Sequence, residues 1–247
     1  MQKITNYEIS RLKELSRNNF SEDSSNSATY KKLLERRKGG EPLQYIEEEV
    51  FFFNIHIEVN QNVLIPRPET EFLVEEITNK IIRPKKIIDV GTGSGCIGLA
   101  LGKYFNDAEL HLTDISTHAL ATAKKNSKNN NIKSMIYKSD LLYDVQDSNF
   151  DLVVADLPYI PSEEIKDLPN EILHYEPLLA LDGGKDGLDY IMQLIDTASS
   201  KLQAGGLLAL EIDSRFGKKV NELAKGYTDV EIIKDLTGRD RYLFATR

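Results

Sequence analysis

From residue 85 onward, the chain alternates between short apolar runs and longer amphipathic stretches. The apolar runs predict buried strands at 86–90, 109–113, 132–137, 150–155, 206–212, 229–234 and 241–246. Apolar residues at helical spacing predict helices at 68–80, 95–104, 116–129, 187–202 and 215–225. This alternation is typical of a doubly wound α/β fold with a mostly parallel sheet. The last two strands are too close for a helical crossover, so we expect the final strand to run antiparallel to its predecessor.

The first 66 residues follow a different pattern. Residues 1–48 are predicted to form a small helical domain, with a polar loop or helix start at 21–27. Residues 49–66 are predicted to form a β-hairpin linker, with β-rich residues at 50–59, a turn at 60–62 and a return strand at 63–65. The main α/β domain then covers residues 67–247. Its first helix opens at Arg67-Pro68, where proline suits the first turn.

Composition and charge narrow the class of protein. The formal net charge is −8 and the pI about 5.2, which argues against a broad nucleic-acid footprint. A single cysteine, Cys96, excludes an internal disulfide, and no apolar run approaches the length of a membrane helix. We therefore expect a cytoplasmic protein. Residues 1–45 are mildly basic, with nine Lys and Arg against six Asp and Glu, which suits a solvated cap or a docking surface.

The apolar run at 150–155 ends in Asp156-Leu157-Pro158-Tyr159. Ligands of open α/β sheets bind just outside the carboxyl ends of the strands, where this stretch delivers a carboxylate, a stiffened turn and an aromatic ring. Because proline pushes the preceding residue into an extended conformation, the Leu157 carbonyl can be held rigidly toward a substrate. An ordinary strand-to-turn transition has the same composition. Residues elsewhere in the chain are therefore needed to distinguish an active site from a simple turn.

A glycine-rich loop follows the first predicted strand. Residues 89–98 (DVGTGSGCIG) place glycines where the backbone must turn sharply and approach a ligand at a helix N-terminus. Residues 93–98 also satisfy the dinucleotide fingerprint G-x-G-x-x-G, and Asp114 follows the second strand, as a nicotinamide cofactor requires. A dehydrogenase is therefore one hypothesis.

Three acidic residues favour a different ligand. Asp89 stands where the pyrophosphate of a dinucleotide would lie, and its charge suits the ammonium and sulfonium of S-adenosylmethionine instead. Asp114 is placed for ribose hydroxyls, and Asp140 can accept a hydrogen bond from an adenine amino group. The 156–159 stretch has no evident task in hydride transfer. Carboxylates and a glycine loop at successive strand ends predict one shared crevice.

Several strings of residues resemble known families. Residues 89–95 resemble the first motif of Rossmann-like methyltransferases, and residues 156–159 resemble the fourth motif of those that methylate a planar nitrogen. Residues 40–46, 64–71 and 175–181, with Gly187-Leu188, look like the peptide chain release factor glutamine methyltransferases. The resemblance extends from about residue 39 to 247, and Arg-Pro-Glu-Thr-Glu separates the chain from the related ribosomal-protein glutamine methyltransferases.

The resemblance implies a class I methyltransferase fold with a seven-stranded sheet. It also implies methyl transfer from S-adenosylmethionine to the glutamine side-chain amide in the Gly-Gly-Gln motif of a class 1 release factor. We expect no metal, no direct contact with nucleic acid or membrane, and a monomer. The implied catalytic residues are Asp156, Leu157, Pro158 and Tyr159, which with Arg67 also bind substrate. The implied cofactor-binding residues are Asp89, Gly91, Thr92, Gly93, Ser94, Gly95, Asp114, Ile115, Asp140, Leu141 and Asp156.

The chain departs from the family pattern at two adjacent positions. Asp156 and Leu157 replace the usual Asn-Pro; Leu157 supplies the same carbonyl, and Asp156 keeps an acceptor oxygen whose pKa burial would raise. The N-terminal helical segment is also shorter than the family's. Asp156 resembles the first residue of the Asp-Pro-Pro-Tyr of adenine amino-methyltransferases, and Leu-Pro-Tyr resembles the motif of ribosomal RNA adenine dimethyltransferases. An extruded nucleobase amine is therefore the alternative substrate, and a non-catalytic S-adenosylmethionine-binding protein is a third hypothesis.

Overall fold

The computed structural model describes residues 4–18 and 28–247, which form nine α-helices, nine strands and four 3₁₀ turns. In chain order the helices and strands are α1 (Asn6–Asn18), α2 (Ala28–Lys38), α3 (Leu43–Glu47), β1 (Glu49–Phe52), β2 (Ile55–Glu58), α4 (Pro68–Lys80), β3 (Lys86–Val90), α5 (Cys96–Tyr104), β4 (Glu109–Asp114), α6 (Thr117–Asn129), β5 (Met135–Lys138), β6 (Phe150–Asp156), α7 (Asn170–Tyr175), α8 (Asp189–Lys201), β7 (Leu202–Glu211), α9 (Gly217–Leu223), β8 (Thr228–Lys234) and β9 (Asp240–Thr246). The 3₁₀ turns are Ser162–Asp167, Leu178–Ala180, Ser214–Phe216 and Ala224–Gly226. None of the helices in the described ranges is long and apolar enough to cross a membrane.

The seven main strands form one sheet in the order β5-β4-β3-β6-β7-β9-β8. Strands β3 to β7 pair in parallel, and β9 runs antiparallel to both of its neighbours, β7 and β8. The predicted doubly wound sheet and its antiparallel final strand are both confirmed. The strand order reverses between β3 and β6, and this switch point is where open α/β sheets bind ligands.

The sheet is buried on both faces, which explains the continuous apolar runs in its strands. Ile87 and Ile88 of β3 are both fully buried, but they belong to two different hydrophobic cores. The first core contains residues of α4, α5 and α6, and the second contains residues of α8 and α9. The helices therefore fix the carboxyl ends of the central strands from both sides.

The predicted hairpin is present but shorter than expected. β1 and β2 pair directly, and the turn lies at Phe53 and Asn54, which both have positive φ angles of 38° and 66°. The turn predicted at 60–62 is present, since the Val63 amide donates to the Asn60 carbonyl at 3.1 Å, but the prediction of a return strand at 63–65 is wrong. The Asn60 side chain accepts a hydrogen bond from the Asn62 amide (2.9 Å) and donates one to Thr122 (3.0 Å), which directs the chain toward α6.

Smaller differences from the predicted elements have local causes. β5 begins at Met135 and not at residue 132, because Ser127 at the end of α6 accepts from the Ile132 amide through its carbonyl (3.0 Å) and donates to the Ile132 carbonyl through its hydroxyl (2.6 Å). β7 begins at Leu202, where α8 ends. The sequence analysis did not predict α7 (Asn170–Tyr175), a helix of six residues without a buried side chain.

The N-terminal helices form a small core of their own, built from Leu12, Tyr30, Leu43 and Ile46. Arg37 ties them together, since its side chain is buried and donates to Glu8 at 2.6 Å. Arg37 also contacts Glu171 of α7 at 3.1 Å, which connects this segment to the main sheet domain. The polar stretch at 21–27 lies outside the described residues, and the division at residues 48 and 66 stays a prediction.

Candidate functional site

An open cavity lies at the carboxyl ends of β3, β4 and β6. Twelve of the predicted site residues line it: Arg67, Gly91, Thr92, Gly93, Ser94, Asp114, Ile115, Asp140, Leu141, Asp156, Leu157 and Pro158. Asp89, Gly95 and Tyr159 do not line it. The fold therefore brings together strand ends that are far apart in sequence, as expected for ligands bound at a switch point.

The glycine loop between β3 and α5 forms one wall of the cavity. Gly91, Gly93 and Gly95 all have positive φ angles, of 69°, 56° and 86°. A Cβ built on Gly93 meets no atom within 4 Å, so a side chain there would extend into open space. Glycine at this position leaves that space free for a ligand to approach the backbone.

Asp89 lies beneath the glycine loop and outside the cavity. Its Oδ2 accepts from the Thr92 hydroxyl at 2.6 Å and from the Gly98 amide at 2.9 Å, so it joins the loop to the first turn of α5. Burial raises the pKa of Asp89 to about 7, although both hydrogen bonds act in the opposite direction. Its Oδ1 is buried and has no hydrogen-bond partner among the described residues. Within the chain, Asp89 thus acts as a positioning residue for the loop.

Asp114 connects the glycine loop to the end of β4. Its Oδ2 accepts from the Gly93 amide at 2.9 Å and its Oδ1 from the Ser116 amide at 2.8 Å. Each carboxylate oxygen can accept a second hydrogen bond, and Asp114 lines the cavity. Burial raises the pKa of Asp114, while the hydrogen bonds from the Ser116 and Gly93 amides lower it. Asp114 is therefore positioned to accept from hydroxyl groups of a ligand.

These residues fit S-adenosylmethionine by the chemistry they present. Asp114 and the exposed Asp140 offer acceptors, while Ile115, 44% exposed, and Leu141 offer apolar surface for a planar ring. The open space at Gly93 suits a ligand that contacts the backbone.

Asp156 stands at the end of β6 and lines the cavity. Its register partner on β7 is Glu211, which is 2% exposed and accepts from the Thr70 hydroxyl at 2.9 Å. Burial raises the pKa of Asp156 to about 6, with the charges of Arg67 and Arg241 acting against the increase. Burial, and then the neighbouring Asp156, raise the pKa of Glu211 well above its ordinary value. Two carboxyl groups thus lie next to each other at the ends of β6 and β7, and Asp156 is the one that lines the cavity.

The segment after Asp156 is fastened to a second loop. The Ile160 amide donates to the Leu181 carbonyl at 3.1 Å, and the Gly183 amide donates to the Ile160 carbonyl at 2.8 Å. A Cβ on Gly183 would lie 2.7 Å from the Pro158 carbonyl oxygen, so only glycine permits this approach. Tyr159 packs against the second core, and burial raises its pKa, which keeps the phenol neutral.

Some residues of the site carried no role in the sequence analysis. Glu176 is buried, accepts from Arg67 and so ties the loop before α4 to the loop at 176–180. This pairing gives Arg67 a structural contact as well as its place in the cavity wall. Thr70 and Glu211 were also not predicted. The position of Glu211 at the end of an apolar strand is a usable signal of a functional residue, because burying a carboxylate is costly without a compensating partner.

Comparisons with known proteins agree with this geometry. Residues 68–184 match the family model described as Methyltransferase small domain. The chain is 41% identical over 227 residues to the release factor glutamine methyltransferase of Thermodesulfovibrio yellowstonii, covering 89% of this chain and 81% of that protein. It is 37% identical over 226 residues to the enzyme of the same name from Clostridium acetobutylicum, covering 88% and 79%.

Solved structures support the fold. The crystal structure of a methyltransferase from Pyrococcus furiosus aligns with a TM-score of 0.60 at 22% identity, covering 78% of this chain and 89% of that one. The predicted methyltransferase fold is confirmed, and the dehydrogenase hypothesis is wrong. From the identity to the two curated relatives and the share of each that is covered, the chain belongs to the release factor glutamine methyltransferase family.

Proposed function

We propose that this protein transfers a methyl group from S-adenosylmethionine to the side-chain amide nitrogen of the glutamine in the Gly-Gly-Gln motif of a class 1 release factor. The observation that carries the proposal is Asp156, an acceptor at the cavity wall beside the glycine loop, in a chain of this family. The cofactor is proposed to lie along Gly93 and Asp114, with Asp140 near its adenine.

An amide nitrogen is a poor nucleophile because its lone pair is delocalised into the carbonyl. S-adenosylmethionine, when bound, supplies an electrophilic methyl group. Asp156 and the Leu157 carbonyl would accept the two amide hydrogens and orient the nitrogen. Positioning of this kind can contribute about 7–11 kcal/mol in ideal cases. The Asn that the family usually has at position 156 would supply a neutral acceptor oxygen. Ionised Asp156 supplies an acceptor whose hydrogen bond is about twice as strong.

The surface around the cavity suits a protein substrate better than a nucleic acid. Residues 162–190 carry eight acidic residues against two basic ones, which would repel a phosphate backbone. Leu178 and Leu179 are 55% and 52% exposed beside the cavity, where Leu179 also forms part of the wall. This acidic loop, the hairpin and the N-terminal helices would together form the docking surface for the release factor.

Mass spectrometry of a release factor incubated with the protein and S-adenosylmethionine tests the proposal. We expect one methyl group on the glutamine of its Gly-Gly-Gln motif. If RNA or DNA containing adenine accepts methyl and the release factor does not, the nucleobase hypothesis is correct instead. Calorimetric binding of S-adenosylhomocysteine without methyl transfer to any of these substrates would favour the non-catalytic hypothesis.

Substitutions at Asp156 test the role assigned to its oxygen. Asp156→Asn keeps an acceptor and should retain activity. Asp156→Ala leaves an amide hydrogen unpaired, a loss of about 1–3 kcal/mol, or roughly 5- to 150-fold in kcat if the loss is felt only in the transition state. Asp107→Ala, which removes an exposed acid far from the cavity, serves as the control. An Asp156→Ala enzyme with full kcat would show that Asp156 has no part in the reaction.

A further inference from the structure

The carboxyl groups of Asp156 and Glu211 lie side by side on adjacent strands. They are register partners at the ends of the parallel strands β6 and β7, so their side chains point to the same face of the sheet. Glu211 is almost completely buried, whereas Asp156 borders the cavity. Glu211 therefore stands behind Asp156 as seen from the substrate side.

In the described part of the chain, neither carboxyl group forms an ion pair with a cationic side chain. Among residues 4–18 and 28–247, no Lys, Arg or His nitrogen forms an ion pair with Asp156 or Glu211. The nearby Arg67 pairs with Glu176, and the Nε of Arg241 lies 3.6 Å from Asp235, so both guanidinium groups act on the pair only through space. Two adjacent buried carboxylates without a contacting cation cannot both be ionised at low cost. One proton must remain on the pair.

The surroundings decide which of the two groups keeps the proton. Several charged and titratable groups interact with the pair: Arg67 and Glu69 before and in α4, Cys96 in α5, Arg241 and Tyr242 on β9, and Asp89 and Tyr159 at neighbouring strand ends. Arg67 and Arg241 both favour the ionised form of Asp156, which also borders the open cavity. Glu211 is only 2% exposed, so its neutral acid form is preferred.

Thr70 links the two carboxyl groups. Its hydroxyl lies 2.9 Å from Glu211 Oε2 and also lowers the pKa of Asp156. A hydroxyl has one hydrogen to donate and can accept two. If Glu211 is the acid, it can donate to Thr70, and the Thr70 hydrogen becomes available to the ionised Asp156.

We propose that Glu211 is a positioning residue that is kept as a carboxylic acid and, with Thr70, holds Asp156 as an ionised acceptor for the substrate amide. The expected effect of this arrangement on methyl-transfer rates rests on the proposed function. Methyl transfer converts the primary amide to a secondary amide and releases one proton from nitrogen. The ionised Asp156 accepts a stronger hydrogen bond from the amide, and the released proton leaves to water through the open cavity. Glu211 keeps Asp156 ionised by holding the one proton of the pair.

Infrared spectroscopy of the protein without substrate tests the protonation state directly. At pH 8, above the pKa values of about 7 for Asp89 and about 6 for Asp156, we expect a carboxylic acid C=O band in the wild type. The band should be lost in Glu211→Gln. A wild-type spectrum without such a band, or a band that survives in Glu211→Gln, overturns the proposal.

The pH dependence of kcat/KM on release factor tests the consequence. Glu211→Gln mimics the neutral acid and should keep the acid limb near its wild-type position, within about half a pH unit, with kcat reduced by less than about threefold. Glu211→Ala removes the donor and should lower kcat by about tenfold or more, with a smaller change in KM. Urea unfolding confirms that both variants fold.

The two variants also separate the possible failures. An acid limb that moves down by about one pH unit or more in Glu211→Gln would mean that Glu211 is ionised in the working enzyme, and equal kcat values for the Gln and Ala variants would mean that it positions nothing. Either result overturns this inference but leaves methyl transfer intact. A wild type that does not methylate release factor contradicts the proposed function instead, while the infrared result still stands.

Discussion

Gly98 is the position where the structure predicts the clearest effect of a single methyl group. It lies in the first turns of α5, whose backbone approaches β3 and β4 closely. A Cβ built on Gly98 would lie 2.3 Å from Leu112 Cδ2 and 2.9 Å from Asp89 Oδ2. Leu112 and Asp89 are themselves buried, so neither can move away without disturbing the core or the glycine loop.

The net effect of Gly98→Ala combines two opposing contributions. Alanine gains about 1 kcal/mol over glycine in a helix interior, whereas overpacking a core by one methyl group costs about 1–3 kcal/mol. With contacts this short we expect the upper part of that range, and thus a net loss of about 1–2 kcal/mol in the free energy of unfolding. Because the Gly98 amide donates to Asp89 at 2.9 Å, the loop should also shift and cofactor affinity should fall about tenfold or more.

Urea unfolding and calorimetric titration with S-adenosylhomocysteine measure the two effects. Gly226→Ala is a matched control, because a Cβ there meets no atom within 4 Å and its φ lies outside the left-handed region. The control should be neutral or stabilising by up to about 1 kcal/mol. If Gly98→Ala matches the control in both stability and affinity, the close packing of α5 against Asp89 does not position the loop.

Two further predictions concern the glycine loop and the N-terminal helices. Gly93→Val and Gly205→Val both place a side chain at a positive φ in open space, so each should lose about 1–2 kcal/mol of stability, but only Gly93→Val should abolish binding of S-adenosylhomocysteine in calorimetry. Burial raises the pKa of Glu8, but hydrogen bonds from Thr5 and Arg37 outweigh it, so the net pKa is lowered. The stability that ionised Glu8 contributes is therefore present above the unfolded pKa of about 4.5 and is lost as the pH falls through the folded pKa. The stability difference between wild type and Glu8→Gln should therefore be about 1–3 kcal/mol at pH 7 and should disappear in acid; a difference that persists below pH 3 would exclude this pairing as its source.

Elements with strong periodicity could be predicted closely from the sequence. β3 matches its predicted range, 86–90, because a short apolar run of this kind is typical of a buried parallel strand. α4 matches its predicted range, 68–80, because proline favours the first turn of a helix. The hairpin was predicted too long because residues 60–62 do form a turn, but no strand follows it and the hairpin already closes at Phe53 and Asn54. The Asn60 side chain accepts from the Asn62 amide and donates to Thr122 of α6, a tertiary contact that composition does not reveal.

The candidate site could be predicted where its residues stand at strand ends. Asp114 and Asp156 line the cavity as expected, since the carboxyl ends of parallel strands meet at one edge. Asp89 was expected at the ligand but lies beneath the loop, because its carboxylate bonds to Thr92 and Gly98. The acid at the end of an apolar strand marks Glu211 in the sequence, but its pairing with Asp156 depends on the register between β6 and β7 and could not be predicted.

The position of β9 between β7 and β8 has a consequence for the order in which the chain assembles. The cofactor side of the cavity uses β3, β4 and their helices, which are near one another along the chain. The substrate side needs β6, β7 and β9 together, and Tyr242 of β9 also donates to the Glu69 carbonyl at 2.7 Å, which fixes the helix that carries Thr70. Contacts between distant residues form slowly because closing long loops costs entropy. A refolding chain should thus regain cofactor binding before it regains methyl transfer.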